Sequence, residues 1–469
     1  MPTTAIVWFR RDLRVHDHPA LTAAIEAADV VVPLFVFDET LLHGPWSSAN
    51  RVWFMRESVV ALSEALAARG AALRVASGRP VDAVPAMARE LGAAEVFVTR
   101  DAAPYGRRRD RAVAEALATC GATLRAKRGL YVHEPDEIAT TDGRPFGVYG
   151  SYRRAWQAKD RRALLPAPDR IPGIANGRPD AVPAVPPPTA DPALIPAPGE
   201  PAARHRLDHW LDGRIAAYPT QRNRLDHDGT SRLSQDLRWG LLSPVEVAER
   251  AEGPGEGRRV FVQELIWREF YAHVLWHHPR VLREPFQEAF ARMSWREDPG
   301  AFDAWARGRT GYPIVDAAMR QLSAAGFVHN RGRMIAASFL TKDLLLDFRL
   351  GEAEFMRHLT DGDVASNDGG WQWTASTGTD PQPYFRIFNP TLQGKRFDPD
   401  GGYVRRWLPE LRDVPPNRIH EPWTMTHDEQ AKAGCRIGVD YPAPIVEHRA
   451  ARERALAAYA EARVAAAGG

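Results

Sequence analysis

The run Asp361-Gly362-Asp363-Val364-Ala365-Ser366-Asn367-Asp368-Gly369-Gly370-Trp371-Gln372-Trp373 crowds carboxylates, an amide and two indoles into one short stretch. A calcium loop is the first chemistry these acids suggest, but Ala365 stands at the third ligand position and the glycine is misplaced. A heteroaromatic cofactor suits the segment better. Carboxylates can accept from ring N–H groups or ribose hydroxyls, the Asn367 amide can face a ring nitrogen, and indoles can pack alongside.

Three further segments could share such a site. Asp228-Gly229-Thr230-Ser231-Arg232-Leu233-Ser234 offers hydroxyls and free backbone N–H groups before a helix, which suits a phosphate; taken alone it reads first as a plain N-cap loop. Glu264, Trp267 and Tyr271 are spaced i, i+3, i+7 on one helical face. A carboxylate beside two flat aromatics could hold a base, although alone the segment reads as amphipathic packing. In His329-Asn330-Arg331-Gly332-Arg333-Met334, Asn330 and Met334 lie one turn apart, and Arg333 could reach a carboxylate or a phosphate. His329 by itself reads as a structural histidine.

The elements that must position these groups fall into two kinds. β-rich runs at Ala5–Phe9, Val30–Phe37, Ala72–Ala76, Glu95–Thr99 and Thr123–Ala126 alternate with helical stretches such as Arg51–Arg69 and Val81–Leu91. That alternation predicts an α/β domain over residues 1–130, with a parallel, doubly wound sheet covered on both faces. No G-x-G-x-x-G follows the first strand, so the usual dinucleotide fingerprint is missing. Residues 131–204 read as an interdomain linker, rich in Pro, Ala and Asp from Ala163 onward, which can be ordered by packing along the surface. Residues 205–469 read as an all-α domain, with caps at Ser243-Pro244 and Asp343.

Composition narrows the function classes. The 469 residues are 44% hydrophobic and 26% charged, and 61 basic against 59 acidic residues leave a net charge of +2. A polyanion must therefore meet a local basic patch, one built of arginine, since the chain has only five lysines. Two cysteines exclude a disulfide scaffold and a multi-cysteine zinc site, and no metal site is expected. No apolar run approaches the roughly 20 residues of a membrane span and no signal peptide is apparent, so the expected setting is soluble and cytoplasmic.

Taken together and in order, Trp8-Phe9-Arg10-Arg11-Asp12-Leu13-Arg14, Asp228–Ser234, Glu264–Tyr271, Thr310–Arg320, His329–Met334, Asp361–Trp373 and Arg386-Ile387-Phe388-Asn389-Pro390 resemble the DNA photolyase/cryptochrome family over nearly the whole chain. The likeness is nearest to class I cyclobutane pyrimidine dimer photolyases of bacteria. It implies an N-terminal antenna-chromophore domain, a linker, and a helical domain holding bent FAD. It also implies light-driven repair of damaged DNA: excited, fully reduced FAD passes one electron to the dimer, the ring splits and the electron returns. The family's cofactor positions fall on Tyr218, Thr230, Ser231, Arg232, Leu233, Ser234, Arg333, Asp361, Gly362, Asp363 and Asn367, with Arg333 the ion-pair partner of the acids and Asn367 beside flavin N5. Plant cryptochromes carry Asp at that last position; an amide adds no negative charge there, which favours the reduced anion.

The resemblance places lesion contacts on Glu264, Trp267, Asn330, Met334 and Trp373, with Tyr271 on the same helix. Arg331, Arg386, Gln393 and Arg396 fall near the DNA-contact region, for sequence-independent binding of phosphates. Burial against Trp267 would favour a protonated, donating Glu264. Glu264, Asn330, Met334, Asn367 and Trp371 are thus the expected catalytic set. The family's electron relay matches Trp371 and Trp295, but its middle position falls on Phe348, which is much harder to oxidise. Slow photoreduction is expected, or a detour through Trp373 or Tyr384. The loop Asp101–Arg107 lacks the Asn-Glu pair of folate-binding relatives, so the expected antenna is a deazaflavin (8-HDF) held near Arg11, Asp38, Arg51 and Asp101; MTHF or another flavin is the alternative. A monomer is the family expectation. The second functional reading is a cryptochrome-like photoreceptor without repair activity.

Overall fold

The computed structural model describes residues 2–467. Five parallel strands, β1 (Thr4–Phe9), β2 (Val30–Asp38), β3 (Arg74–Gly78), β4 (Glu95–Thr99) and β5 (Thr123–Lys127), form one sheet in the order β3-β2-β1-β4-β5. Successive side chains of a strand point to opposite faces, and both faces of the central strands are apolar. Ala5, Val7 and Phe9 of β1 face a core that continues into the helical domain. Ile6 and Trp8 face a separate cluster with Met87, Val113 and Leu117. This two-sided burial is why the strands read as continuous hydrophobic runs.

The edge strand β3 begins two residues later than the sequence pattern implies. Leu73 is buried, but its carbonyl accepts from the backbone N–H of Asp180 at 2.9 Å, and the Asp180 carboxylate accepts from Val75 N–H and Arg74 Nε. The proline-rich stretch is thus ordered along the sheet edge, and Val31 N–H also donates to the Pro172 carbonyl. Two helices lie within the stretch expected to be linker: Tyr149–Ala158, and the start of Glu200–Leu211. Pro201 sits in the first turn of the second, where a missing N–H costs nothing.

Beyond it the chain is helical. The elements that build the site are α1 (Glu256–His277), α2 (Asn330–Ser338), α3 (Phe348–His358) and α4 (Val364–Ala375), with α5 (His448–Ala467) at the C-terminal end. The core around β1 runs on through Trp156 and Trp210 to Phe261 and Phe270 of α1. The buried Glu269 carboxylate fastens that junction, accepting from His133 N–H and from Trp156 Nε1 at 2.6 Å. Ser243 caps its helix as expected, but Asp343 does not cap one. It is buried in the wide turn after α2, where it meets His448 of α5; Asp347 caps α3 instead. In the same turn Lys342 is fully buried, donating to the Ala375 carbonyl and Ser376 Oγ beneath the Tyr459 ring, with no ion-pair partner among the described residues. No described helix is long and apolar enough to cross a membrane.

Candidate active site

Helix α4 brings the central cluster together. Asp363 is its N-cap, accepting from Ser366 N–H at 3.1 Å, and Asn367 and Trp371 follow one turn apart on one buried face. Close packing requires glycine at two points. A Cβ on Gly369 would lie 2.1 Å from Tyr271 of α1, and one on Gly351 of α3 would lie 2.1 Å from the Trp371 ring.

These helices and the loop before Ser234 enclose a cavity of about 230 Å³. Tyr218, Ser231, Leu233, Ser234, Arg333, Asp361, Gly362, Asp363 and Asn367 all line it, and so does Glu264. Thr230 and Arg232 do not; they line a neighbouring cavity on the other side of the loop. The reason is backbone handedness: Arg232 has φ of 52°, which turns its side chain away from the first cavity and onto the Phe327 ring, 3.9 Å off.

The charges around the cavity are paired in an ordered way. Arg333 donates to Asp361 at 2.7 Å, and Arg11 of the first domain reaches Asp363 at 2.6 Å. Burial alone would raise the Asp363 pKa, but Arg11, Arg238 and Arg268 outweigh it and hold the carboxyl well below its ordinary range. On the far side of Asn367 lies an opposite environment. Glu352 and Asp368 are buried and each is pushed up, by burial first and, for Glu352, by its neighbour's charge. Asn367 gives its amide N–H to the Glu352 backbone carbonyl at 3.1 Å, so its side-chain oxygen is the atom left for the cavity. Glu264 pairs with Arg222 at 2.7 Å; burial raises its pKa, and Arg222 only partly opposes this.

Two charged lining residues escaped the sequence reading. Arg238 and Arg268 stand one turn after Ser234 and Glu264, a spacing that could have flagged them. Burial, then the charge of Arg11, pushes Arg238 down to about 9. Its Nη1 and the Asp361 Oδ1 are buried without partners. A wall offering both a free donor and a free acceptor fits a ring system bearing carbonyl and N–H groups, such as a flavin.

The remaining residues do not line this cavity. Trp267 stacks on Tyr149 with ring centroids 3.7 Å apart. Asn330 is exposed at the start of α2 with its amide 3.8 Å from Met334 Sδ, and Arg331 donates to Asn223 at 2.7 Å. Trp373 and Gln393 are half-buried. Trp295 lies 6.4 Å from Phe348, whereas Trp371 meets Phe355 at 5.0 Å and the buried Trp305 at 6.0 Å. Tyr384 stacks on Tyr459, which in turn meets Trp295. Of the residues expected around an antenna, Arg11 joins Asp101 to Asp363, and Arg51 donates to the Met356 and Leu359 carbonyls. Asp38 accepts from Tyr105 OH at 2.6 Å.

Comparison with known proteins settles the lineage. A model described as the FAD binding domain of DNA photolyase matches residues 261–461, and one described as DNA photolyase matches residues 5–170. The chain belongs to the DNA photolyase family. It is 41% identical to a deoxyribodipyrimidine photo-lyase of Agrobacterium fabrum, covering 97% of each chain. A crystal structure of a bacterial class III photolyase from Agrobacterium tumefaciens superposes with a TM-score of 0.93 at 39% identity, covering 99% of this chain and 98% of that one. A Synechocystis cryptochrome structure follows at 0.87 and 30% identity, covering 97% and 99%. The fold of the family, a parallel α/β domain joined to a helical FAD-binding domain, is the fold of this chain.

Proposed function

We propose that the chain is a deoxyribodipyrimidine photo-lyase, acting on pyrimidine dimers in DNA without regard to sequence. One observation carries the reading: Glu264, the matched lesion contact, lines the same cavity as Asp361, Asp363 and Asn367, the matched flavin contacts. A lesion touching Glu264 is then within the shell that holds the cofactor. Bound reduced FAD supplies the light-excited electron donor.

The chain's own residues do the rest. The half-exposed loop carrying Ser231, Leu233 and Ser234 presents backbone N–H groups to the cofactor's phosphates. Asp363, held ionised beside Arg11, and Asp361, paired with Arg333, orient the cofactor through hydrogen bonds. The raised Glu352–Asp368 pair adds little negative charge behind Asn367. Glu264 in its protonated form, which burial favours and Arg222 opposes, would donate to a thymine carbonyl. Bases must leave the duplex to reach an internal cavity, and a dimer, which stacks and pairs poorly, is extruded more readily than intact bases. Burial and then the charges of Arg222 and Arg396 lower the pKa of Arg331, and phosphates bound there would relieve that repulsion. Asn330, Met334, Trp267, Tyr271, Trp373 and Gln393 are assigned to the lesion and its flanking strand.

The first domain, residues 1–130, is assigned to an antenna chromophore, a deazaflavin, on the strength of the loop at Asp101. Spectra of what is extracted from the purified protein separate 8-HDF from MTHF or a second flavin. For the main reading, reduced protein is incubated with a thymine-dimer oligonucleotide in blue light and in darkness. Light-dependent restoration of intact thymines is expected. FAD-loaded protein that leaves the dimer intact would transfer the assignment to a photoreceptor.

A further inference from the structure

The larger cavity lies behind the phosphate loop, outside the flavin site. It measures about 460 Å³ and is walled by the helix Glu200–Leu211, the loop Leu225–Arg232, Phe327, His329 and the helix Gly402–Trp407. Ser231 lines both cavities, so the loop is a shared partition.

Its wall is short of acceptors. Three lining side chains have a buried polar atom without a partner: Trp210 Nε1, Arg232 Nε and His329 Nε2. The first two are donors by nature. His329 is 5% exposed, and its Nδ1 accepts from Arg331 N–H at 3.1 Å, so in the neutral ring Nε2 carries the proton. Burial and the surrounding arginines push His329 down to about 4, which keeps the ring neutral. No lining side chain leaves a buried acceptor unpaired.

The charges point the same way. The carboxylates Asp226 and Asp228 are occupied by Arg224 and Arg214, and Arg206 is matched by Asp236. Arg232 and Arg406 have no carboxylate partner among the described residues; they lie over the rings of Phe327 and Trp407. A guanidinium over an aromatic ring and without a carboxylate partner still has N–H groups to offer an oxyanion.

We propose that this cavity is a second anion site, taking the phosphate of a small nucleotide of about mononucleotide size. Donors from Trp210, Arg232 and His329 would meet its oxygens, and Arg406 would supply the charge at the mouth. The site is independent of lesion repair. Because Ser231 and Arg232 belong to the partition, occupancy would stiffen the loop that also holds the flavin phosphates.

The test is calorimetric titration of ADP into FAD-loaded protein, beside an Arg406→Gln variant. Arg406 is exposed, so the change does not threaten the fold. Saturable binding is expected, with FAD retained throughout, and weakened about tenfold or more by Arg406→Gln through loss of a charged partner. Light-driven repair should be unchanged in that variant. Absence of saturable heat, affinity unaltered by Arg406→Gln, or release of FAD by ADP would each overturn the proposal. Competition by an undamaged oligonucleotide would overturn the free-nucleotide assignment and give the phosphate to DNA; no competition supports it.

Discussion

Arg11 and Asp363 connect the two domains through one ion pair, and replacing them measures what that connection contributes. Their side chains are 14% and 16% exposed, and their separation is 2.6 Å. Removing one partner of a buried pair leaves an uncompensated charge, which typically costs about 3–5 kcal/mol. Asp363 keeps its bond from Ser366 N–H and the charges of Arg238 and Arg268, so Arg11→Gln should cost less, about 2–3 kcal/mol. In a double-mutant cycle with Asp363→Asn the coupling should be about 1.5–3 kcal/mol, as for contacting residues in one network. Urea unfolding of FAD-loaded protein is the assay, followed by tryptophan fluorescence and by flavin release. Flavin should leave the Arg11→Gln variant at lower urea than it leaves the parent. The sign with pH follows from the lowered Asp363 pKa. The pair's stabilisation is present above the ordinary carboxyl value of about 3.9 and is lost as pH falls through the lower folded value. The gap between parent and Asp363→Asn should therefore close only in strong acid. A coupling below about 0.5 kcal/mol would refute the reasoning, since distant and independent sites give as little.

Other consequences are testable in the same protein. Phe348→Trp should speed photoreduction of oxidised flavin under blue light, and an unchanged bleaching rate would remove Phe348 as the interruption. Trp305→Phe should slow photoreduction if electrons leave Trp371 by way of Trp305, which lies 6.0 Å off; an unaltered rate excludes that detour. Gly351→Ala should destabilise by about 1–3 kcal/mol, because the new methyl meets the Trp371 ring, and the melting temperature reads this directly. Glu264→Gln, which keeps a donor at every pH, should retain most repair and lose whatever part of the pH profile comes from deprotonation of Glu264. Glu264→Ala should lose repair throughout, and equal losses in both variants would contradict a donating Glu264.

The sheet was readable because β1, β2 and β4 are apolar on both faces, leaving little ambiguity about where strands lie. Edge strand β3 carries no such pattern, and its register depends on Asp180, more than a hundred residues away in sequence. The proline-rich stretch could be read only for what it cannot form; its course along the sheet is set by backbone hydrogen bonds that composition does not encode. In the site, the Asp361–Trp373 cluster stood out by its residue types, but the helix that carries Asn367 and Trp371 was not readable, since the segment reads as lying between helices. The side taken by Arg232 was not readable either, since it follows from one left-handed backbone angle. Nor was the destination of Arg11, whose partner lies in the other domain. Arg238 and Arg268 had a usable one-turn spacing, but each looks like an ordinary solvated arginine until the helices close around it.

The buried Lys342 has a use as an internal gauge. Burial lowers its pKa well below the ordinary lysine value, so the amine is held closer to its neutral, nucleophilic form while α5 covers it. An acylating reagent reaches that nitrogen only when the C-terminal helix lifts away. The other four lysines of the chain are at least partly exposed and react at once. The slow acylation of Lys342, located by peptide mass spectrometry and timed against the other amines, therefore measures how often this end of the molecule opens. Because the folded state favours the uncharged amine, openings should become rarer as pH rises toward the ordinary lysine range.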